Sequence, residues 1–450
     1  MNQLIEKYNI PVPRYTSYPT VPFWKTTEFN REQWITSLKS SFKASNQKEG
    51  ISLYIHLPFC ESLCTFCACH KHITKRHEVE ESYISAVLKE WKLYCDVFEE
   101  KPIIKEIHLG GGTPTFFAPE QLQRLIICLL SDAELHPNYE FSFEGHPNNT
   151  TEKHLRVLND LGFTRVSFGV QDYSPKVQKA IHRIQPFEQV KYVTELARKI
   201  GYTSVSHDLV FGLPFQNLSD VTYSIEKTKE LKPDRISFYS YAHVPWIKGV
   251  GQRGFDEKDL PKDDLKRALF EEGKKQLEDF GYKEVGMDHF ALESDDLYQA
   301  QFKGKLHRNF MGYTAHKTQV MVGLGMSSIS DSFNAFAQNV KSVKEYQSLI
   351  QQGELPVFKG HIHSDEDVNR RQIILDFMCQ SGSELTKINS LESFDYEYVE
   401  ELLEDEILEI EDGKMMITEK GKPFLRNVCA AFDEYINASE ILEKKFSMSI

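Results

Sequence analysis

Residues 60–72 read CESLCTFCACHKH and carry four cysteines with the spacing C-x3-C-x2-C-x-C. The stretch comes one residue after ISLYIHLP, a β-rich run that begins at Ile51. Thiolates are soft ligands that suit zinc or iron–sulfur clusters. Three of them on one short loop, Cys60, Cys64 and Cys67, can bind three irons of a cubane and leave the fourth iron open. An open iron is a catalytic feature, so the spacing predicts a reactive site at the end of this strand.

A structural zinc site is the alternative interpretation, with His70 or His72 as an additional ligand. Such sites usually take a second pair of ligands from a distant segment, and the sequence offers no such pair. We expect the remaining four cysteines to be small core residues in apolar helices. They are Cys95, Cys128, Cys379 and Cys429.

Length and composition narrow the class of protein. A chain of 450 residues with 40% hydrophobic residues is expected to form two or three domains, each with a buried core. No apolar run approaches the roughly 18–20 residues of a membrane span, and the first residues carry no secretory signal, so we expect a cytoplasmic protein. The net charge of −13 argues against general nucleic-acid binding, which needs a basic face.

From residue 51 onward, six β-rich runs alternate with segments whose apolar residues recur at three-to-four spacing. This order predicts an α/β fold with a parallel sheet and right-handed crossovers. Six units are fewer than the eight of a closed barrel, so we expect an incomplete (β/α)6 barrel. The gap that such a barrel leaves at its side would suit a bulky substrate.

The pattern predicts three parts along the chain. Residues 1–48 are expected to form an N-terminal extension over the site, and residues 49–350 the barrel with its associated elements. Residues 355–450 are predicted to form a mostly α-helical, winged-helix-like domain. This last domain is rich in Glu and Asp, so we interpret it as a packing or lid domain rather than a DNA-binding one.

Residues capable of chemistry follow the predicted strands, where the active sites of such barrels lie. Besides the cysteines they include Gly110 to Thr113, Glu144, Gln171, Asp208 and Tyr241 to His243. Asp208 is an acid in the apolar run VSHDLVFGL, which is unfavourable unless a ligand or a buried ion pair provides a partner. Glu144 can accept a hydrogen bond from an amino group of a ligand or form a salt bridge with a neighbouring helix.

For three other features at these strand ends, both a ligand-binding and a purely structural interpretation remain open. The glycines of GGGTPT at Gly110–Thr115 allow the backbone to approach a ligand, or they form a plain tight turn. Arg183 offers a planar fork for a carboxylate, or it is a surface arginine. Gln171 contacts a ligand, or it is an amide at the edge of the core.

The C-x3-C-x2-C motif after a first barrel strand resembles the radical S-adenosylmethionine (SAM) superfamily, and GGGTPT strengthens the match. A finer set of motifs resembles the oxygen-independent coproporphyrinogen III oxidase family. These motifs are PRYTSYPT, YIHLPFC, the fourth cysteine at Cys69, GGGTPTFF, GVQDY, YAHVP and GYT…GLGMSSIS. The similarity runs from about residue 4 to residue 335 and is looser beyond. It implies a barrel of radical SAM type.

The resemblance also implies a set of site residues. Cys60, Cys64 and Cys67 would hold a [4Fe-4S] cluster, and Tyr54, Gly111 and Glu144 would contact the SAM bound to it. Phe66, Cys69, Gly112, Thr113, Gln171, Arg183, Asp208, Ala242 and Ile329 would line the SAM sites, mostly that of a second SAM. Tyr54 and Cys69 would take part in catalysis.

The implied reaction is the oxidative decarboxylation of two propionates of coproporphyrinogen III to vinyl groups, which gives protoporphyrinogen IX in heme biosynthesis. It requires two SAM molecules, an electron donor such as flavodoxin or ferredoxin, and an unidentified electron acceptor. PRYTSYPT is expected to cover the site, with Arg14 and Arg308 as hypothetical partners of the propionates. The family resemblance further suggests a monomer.

One motif departs from the family pattern, and three other functions remain open. Where the family commonly has E-x-D-P-R, this sequence reads EGHPNN, with His146 and no arginine. The alternatives are a heme-binding chaperone of the same superfamily, a radical SAM enzyme that methylates and opens heme, and a zinc-binding structural protein. Cys69 and PRYTSYPT count against the chaperone, which usually lacks both.

Overall fold

The fold is built around one large sheet, in a computed structural model that describes residues 2–27, 29–245, 251–437 and 446–449. The strands are β1 (Ile51–Leu57), β2 (Phe59–Cys60), β3 (His72–Ile73), β4 (Ile103–Gly111), β5 (Glu134–Gly145), β6 (Phe163–Gln171), β7 (Ser204–Phe211), β8 (Arg235–Ser240), β9 (Lys283–Val285), β10 (His289–Ala291), β11 (His307–Asn309), β12 (Gly312–Thr314), β13 (Met321–Leu324), β14 (Ile329–Asp331), β15 (Ala335–Asn339), β16 (Val357–Ile362), β17 (Gly382–Glu384), β18 (Leu408–Glu411) and β19 (Lys414–Ile417).

The helices alternate with the first strands and dominate the C-terminal part. They are α1 (Asn2–Tyr8), α2 (Arg31–Glu49), α3 (Val79–Phe98), α4 (Pro119–Ser131), α5 (Glu152–Asp160), α6 (Pro175–Ala180), α7 (Phe187–Ile200), α8 (Leu218–Leu231), α9 (Asp263–Asp279), α10 (Asp296–Phe302), α11 (Val343–Gln351), α12 (Asp365–Gln380), α13 (Leu385–Ile388), α14 (Tyr396–Glu404), α15 (Leu425–Ala431) and α16 (Glu434–Asn437). In the described residues, no helix is long and apolar enough to cross a membrane.

The six predicted barrel strands are confirmed as β1 and β4 to β8, which lie side by side in parallel. The sheet is larger than the sequence predicted. β13 adds a further parallel strand next to β1, followed by the antiparallel strands β14, β15 and β16. β10 and β9 extend the other end beyond β8. In the described chain, β16 and β9 are the two ends of this sheet.

The two faces of the sheet differ in chemistry because side chains alternate along each strand. On β1, Leu53, Ile55 and Leu57 are fully buried and belong to the core that includes the helices α2, α3 and α4. Between them, Tyr54 and His56 point to the opposite, inner face of the sheet. The inner face therefore carries polar and aromatic side chains, and it holds the site.

The N-terminal segment crosses from one end of the sheet to the other. The Arg14 guanidinium forms an ion pair with Asp288, next to β10. Further along, Lys25 pairs with Gly360 on β16 in an isolated antiparallel bridge. The segment thus contacts both ends of the sheet. Its earlier part, including Tyr8, shares a hydrophobic core with the C-terminal helices. The three domain boundaries predicted from the sequence stay a prediction.

The predicted winged-helix-like order is present in the C-terminal part. α12, α13 and α14 precede a hairpin of β18 and β19, and β17 pairs with β19 to complete a small sheet. Two of the four scattered cysteines, Cys379 and Cys429, are buried as predicted, and Cys95 is half-buried. The prediction for Cys128 is wrong, because this residue lies on the exposed face of α4.

Candidate active site

The cysteine loop begins where the short strand β2 ends, and its backbone is tied to a neighbouring helix. The amide of Thr65 donates to the carbonyl of Ile181 at 3.0 Å, and the Thr65 hydroxyl donates to the carbonyl of Ala180 at 3.0 Å. Within the loop, the amide of Cys67 donates to the carbonyl of Cys64 at 3.2 Å. These contacts hold the loop against the end of α6 and give the thiols a fixed backbone.

The three thiols predicted to bind metal are unpaired and line one cleft of about 460 Å³. Cys60 Sγ lies 3.3 Å from the Thr113 hydroxyl, and Cys64 Sγ lies 3.7 Å from Arg183 Nη1. Burial raises the pKa of the Cys60 thiol to about 11. The described residues contain no group of three or more His, Cys, Asp or Glu arranged around a single metal ion. Thiols that each bind a different iron of a cubane do not need to converge on one point, so the donor set fits a cluster.

Cys69 is exposed and lines the same cleft. The adjacent Lys71 also lines it and donates from Nζ to the carbonyls of Cys67 and Cys69, each at 3.2 Å. Lys71 therefore closes the turn that follows the third thiol. The single-residue gap between Cys67 and Cys69 brings their two thiols within hydrogen-bonding contact, at the wall of the cleft.

The glycine run at the end of β4 has a structural reason of its own. Gly111 has a φ of 113°, which favours glycine, and a Cβ there would lie 2.7 Å from His56 Nδ1. A Cβ on Gly112 would lie 2.5 Å from the carbonyl carbon and oxygen of Pro58. Both glycines also line the cleft. The absence of a side chain therefore lets β4 pack closely against the start of the cysteine loop and also leaves room for a ligand.

Two carboxylates face the cleft from neighbouring regions of the sheet. Glu144, near the end of β5, has a half-exposed side chain 3.4 Å from His108 Nε2 on β4, rather than a salt bridge with a helix. Asp208, on β7, accepts a hydrogen bond from the Ser167 hydroxyl at 3.0 Å. Burial, assisted by the charge of Glu144, raises the pKa of Asp208 to about 6. A ligand that brings a hydroxyl or an ammonium group would relieve this unfavourable position.

Arg183 and Gln171 meet at the end of β6. Arg183 is half-buried and not a surface arginine, and its Nη2 donates to the carbonyl of Gly169 at 2.6 Å. Gln171 has a φ of 68°, so the backbone turns sharply where the strand ends. A Cβ on Gly169 would lie 2.6 Å from the Gln171 amide nitrogen and 2.9 Å from Arg183 Nη2. Both side chains line the cleft above this glycine.

The structure brings together most of the residues expected from the sequence, but not all. The cleft is lined by Cys60, Cys64, Phe66, Cys67, Cys69, Gly111, Gly112, Thr113, Glu144, Gln171, Arg183 and Asp208. Tyr54, Ala242 and Ile329 are not among its lining residues. Tyr54 lies next to the cleft residue Glu144, with Gly110 packed against both. A Cβ on Gly110 would lie 2.9 Å from Glu144 Oε1 and 3.1 Å from the Tyr54 ring. Gln252 connects Ala242 to the site by donating to its carbonyl at 2.7 Å and to that of Phe66 at 3.3 Å.

Comparison with known proteins decides the family. Residues 54–227 match the Radical SAM superfamily. Over 99% of this chain and 98% of the relative, the sequence is 39% identical to the oxygen-independent coproporphyrinogen III oxidase of Helicobacter pylori. It is 33% identical to the Escherichia coli protein of the same name, over 96% of this chain and 95% of the relative. The chain belongs to the oxygen-independent coproporphyrinogen III oxidase family.

The solved coproporphyrinogen III oxidase of Escherichia coli, described as a radical SAM enzyme, has the same fold as this member of the family. The TM-score is 0.88 at 32% sequence identity, and the match covers 97% of this chain and 99% of that one. Because the match extends over nearly the full length of both chains, it includes the N-terminal segment and the C-terminal domain as well as the barrel.

His146 stands where the sequence departs from the E-x-D-P-R motif that the family resemblance implied. It lines the cleft, and its Nδ1 accepts a hydrogen bond from the amide of Asn148 at 3.1 Å. Burial and the nearby charge of Arg183 lower the pKa of His146 to about 3. The imidazole is therefore neutral and adds no positive charge to the cleft.

Sequence reasoning did not single out His56, Lys71 or Tyr239. His56 Nε2 donates to the carbonyl of His70 at 2.8 Å, and the Tyr54 hydroxyl lies 3.1 Å from His56 Nδ1. Tyr239 lines the cleft from β8. The alternation of β1 could have indicated His56, which lies two residues after Tyr54 on the same face. Lys71 and Tyr239 had no comparable signal.

The two arginines suggested as partners of propionates lie elsewhere. Arg14 forms an ion pair with Asp288 and lines a second cavity of about 310 Å³ between the barrel and the C-terminal domain. Arg308 is buried, stacks on the Tyr313 ring at 4.5 Å and donates to the carbonyl of Arg14 at 3.3 Å. Neither is among the residues that line the cleft with the cysteines, and their suggested contact with propionates stays a prediction.

Proposed function

We propose that this protein catalyses the oxygen-independent oxidative decarboxylation of coproporphyrinogen III. Two propionates become vinyl groups, which gives protoporphyrinogen IX in heme biosynthesis. The observation that carries the proposal is the full-length similarity, at 33–39% identity, to relatives named for this reaction, combined with a cleft that collects the cysteines and carboxylates. Neither a heme chaperone nor a heme-methylating enzyme is favoured by these relatives.

Cys60, Cys64 and Cys67 would hold a [4Fe-4S] cluster at one end of the cleft. When bound and reduced, the cluster supplies the electron that splits SAM into methionine and the 5′-deoxyadenosyl radical, which takes a hydrogen atom from a propionate. The substrate radical formed in this way would lose one carbon dioxide and one electron to give a vinyl group, and the electron would pass to an acceptor. Hydrogen abstraction requires reacting atoms about 3–3.5 Å apart, so the substrate must reach deep into this cleft.

We assign the other side chains to binding SAM. Glu144 is suited to accept hydrogen bonds from the amino group of the SAM bound to the cluster, next to Tyr54 and Gly111. Asp208 and Gln171 would bind hydroxyl or amino groups, and Arg183 a carboxylate. Two SAM molecules are proposed, with Phe66, Cys69, Gly112, Thr113, Ala242 and Ile329 assigned mainly to the second. Cys69 and Tyr54 are the proposed catalytic residues beyond the cluster.

The N-terminal segment is proposed to cover the substrate and exclude water while radicals are present. Its attachment at both ends of the sheet, through Arg14 to Asp288 and through Lys25 to Gly360, supports this role. A flavodoxin or ferredoxin as electron donor, a monomeric state and a cytoplasmic location are further proposals, which rest on the family resemblance and on the sequence.

One anaerobic assay tests the proposed function. The protein is reconstituted with iron and sulfide and supplied with SAM, a reductant, an electron acceptor and coproporphyrinogen III, and the products are followed by mass spectrometry. We expect a tetrapyrrole that has lost two carboxyl groups, with two 5′-deoxyadenosines formed for each. Deoxyadenosine without any change in the tetrapyrrole would refute this substrate while leaving the radical SAM chemistry intact.

A further inference from the structure

The inner face of the sheet continues beyond the barrel as a row of paired residues. Tyr54 on β1 pairs with Gly323 on β13, which lies against the backbone of Ile329 on β14. Ile329 pairs with Gln338 on β15, and Gln338 pairs with Lys359 on β16. Because residues directly opposite each other on paired strands point to the same face, Lys359 is on the face that carries Tyr54.

This continuation lies under the N-terminal segment and is partly aromatic. Lys359 Nζ donates to the carbonyl of Val21 at 3.2 Å and lies 5.8 Å from the centre of the Trp24 ring. Trp24 stacks on Phe336 of β15 with ring centres 5.0 Å apart, and Phe310 meets it edge-on at 5.7 Å. Trp24 and Phe336 are both buried, so this aromatic cluster fixes the N-terminal segment next to Lys359.

Positive charge collects here without carboxylates to balance it. Lys341 is the second residue after the end of β15, and burial together with the charge of Lys341 lowers the pKa of Lys359 to about 8. Burial and the charges of nearby groups that include Lys341, Lys359 and Lys71 lower the pKa of His70 to about 4. Among the described residues, no carboxylate lies within salt-bridge distance of Lys341 or Lys359.

We propose that Lys341 and Lys359 bind carboxylates of the tetrapyrrole that are not reacting, on the part of the inner face formed by β14, β15 and β16. The inference rests on the proposed function, in which a substrate with four carboxylates presents one at a time to the cleft. β16 is four strand spacings of about 4.8 Å from β1, hence at most about 19 Å away, and the lysine side chains shorten this distance. A tetrapyrrole with extended propionates spans a gap of this order.

Charge-removing variants that keep the apolar stem test the assignment. Lys341→Met and Lys359→Met should each raise KM for coproporphyrinogen III about tenfold, because each removes a hydrogen bond between charged groups. Iron content and deoxyadenosine formation without substrate should stay at the wild-type level. Lys341→Arg and Lys359→Arg should restore KM to near the wild-type value. Lys344→Met, an exposed lysine on α11 with the same change of charge, is the matched control.

The assays use dithionite as the reductant, so that no protein donor takes part. An unchanged KM in both methionine variants would overturn the assignment. A defect that arises only when flavodoxin replaces dithionite would also overturn it and would assign the lysines to a protein donor instead. If the wild-type protein forms deoxyadenosine but leaves coproporphyrinogen III intact, the proposed function fails. If the wild-type protein turns the substrate over and the methionine variants have the same KM as the wild type, only the role of the lysines fails.

Discussion

Asp208 on β7 and Ser167 on β6 are joined by a hydrogen bond of 3.0 Å across two parallel strands, on the wall of the cleft. The hydroxyl donors Ser167 and Ser237 do not offset the burial of the carboxylate, whose pKa is raised to about 6 with the charge of Glu144 nearby. The aspartate is therefore poised to gain a partner from a ligand. Its protonation state controls how well it can do so near neutral pH.

Asp208→Asn should weaken SAM binding and remove its dependence on pH. In the wild type, Asp208 becomes protonated as the pH falls through about 6, so SAM affinity should fall several-fold between pH 7.5 and 5.5. Binding is measured anaerobically by equilibrium dialysis on protein with intact cluster. Ser219→Ala on the exposed surface of α8 is the control. Equal pH dependence in the asparagine variant and the wild type would contradict the role of this carboxylate.

The four clustered cysteines should separate into two classes. Cys60→Ser, Cys64→Ser and Cys67→Ser are each expected to lose the cluster, since an alcohol is a poor ligand for iron in such clusters. Cys69→Ser should keep the cluster and lose turnover. Iron and sulfide content and the visible absorption spectrum measure this difference, with Cys128→Ser on the exposed face of α4 as control. Loss of the cluster in Cys69→Ser would make Cys69 a ligand.

Arg14→Ala should loosen the N-terminal segment without affecting the cluster. In the wild type, Arg14 and His289 hold the pKa of the Asp288 carboxyl far below its usual range. The variant leaves this buried carboxylate without its main cation, so its pKa would rise. We expect faster cleavage by trypsin and a KM for the tetrapyrrole raised about tenfold, equivalent to about 1.4 kcal/mol. Lys7→Ala, which removes an exposed ion pair with Asp405, should change neither. Unchanged cleavage in Arg14→Ala would argue against a closing role.

Gly112→Ala should disturb the cysteine loop. The added Cβ would lie 2.5 Å from the carbonyl of Pro58, and this is backbone that cannot move without shifting Cys60. We expect a marked loss of iron after reconstitution. Gly304→Ala provides the control, because its φ of 64° adds backbone strain while nothing lies within 4 Å of the new Cβ. A full complement of iron in Gly112→Ala would show that the loop tolerates the displacement.

Glu90 should make folding stability depend on pH. This buried carboxyl accepts hydrogen bonds from the amide of Gly325, the Tyr346 hydroxyl and the Asn339 amide, yet burial raises its pKa to about 7. The folded protein then binds this proton more tightly than the unfolded chain does. Its contribution is complete below about pH 4.5 and is lost as the pH rises through 7, by about 3 kcal/mol.

Glu90→Gln removes this titration. Relative to the wild type, the free energy of unfolding of the variant should improve by about 3 kcal/mol between pH 5 and pH 8. Urea denaturation of the cluster-free protein measures the difference at both values. Glu195→Gln, an exposed position on α7, should follow the wild type at both. A parallel pH dependence in Glu90→Gln and the wild type would contradict the assignment.

The alternating β and α segments, and the positions of Glu144, Gln171 and Asp208 at strand ends, could be predicted from the sequence alone. The reason is local, because a parallel sheet with short crossovers brings the carboxyl ends of its strands to one edge. The cysteine spacing is equally local, since all four thiols belong to one short loop. These features determined the class of fold and the chemistry at its rim.

Only the tertiary structure decided where residues 283–362 lie. Their strands are three to six residues long and too short to show a clear period, and β13 to β16 join the sheet on the far side of β1 by pairing over a long sequence separation. This pairing brings Lys359 onto the same face as Tyr54, although 304 residues separate them. At the opposite end of the sheet, the tertiary structure places Arg14 against Asp288, next to β10. Such long-range pairing depends on which surfaces are buried together, and the sequence carries no local record of that.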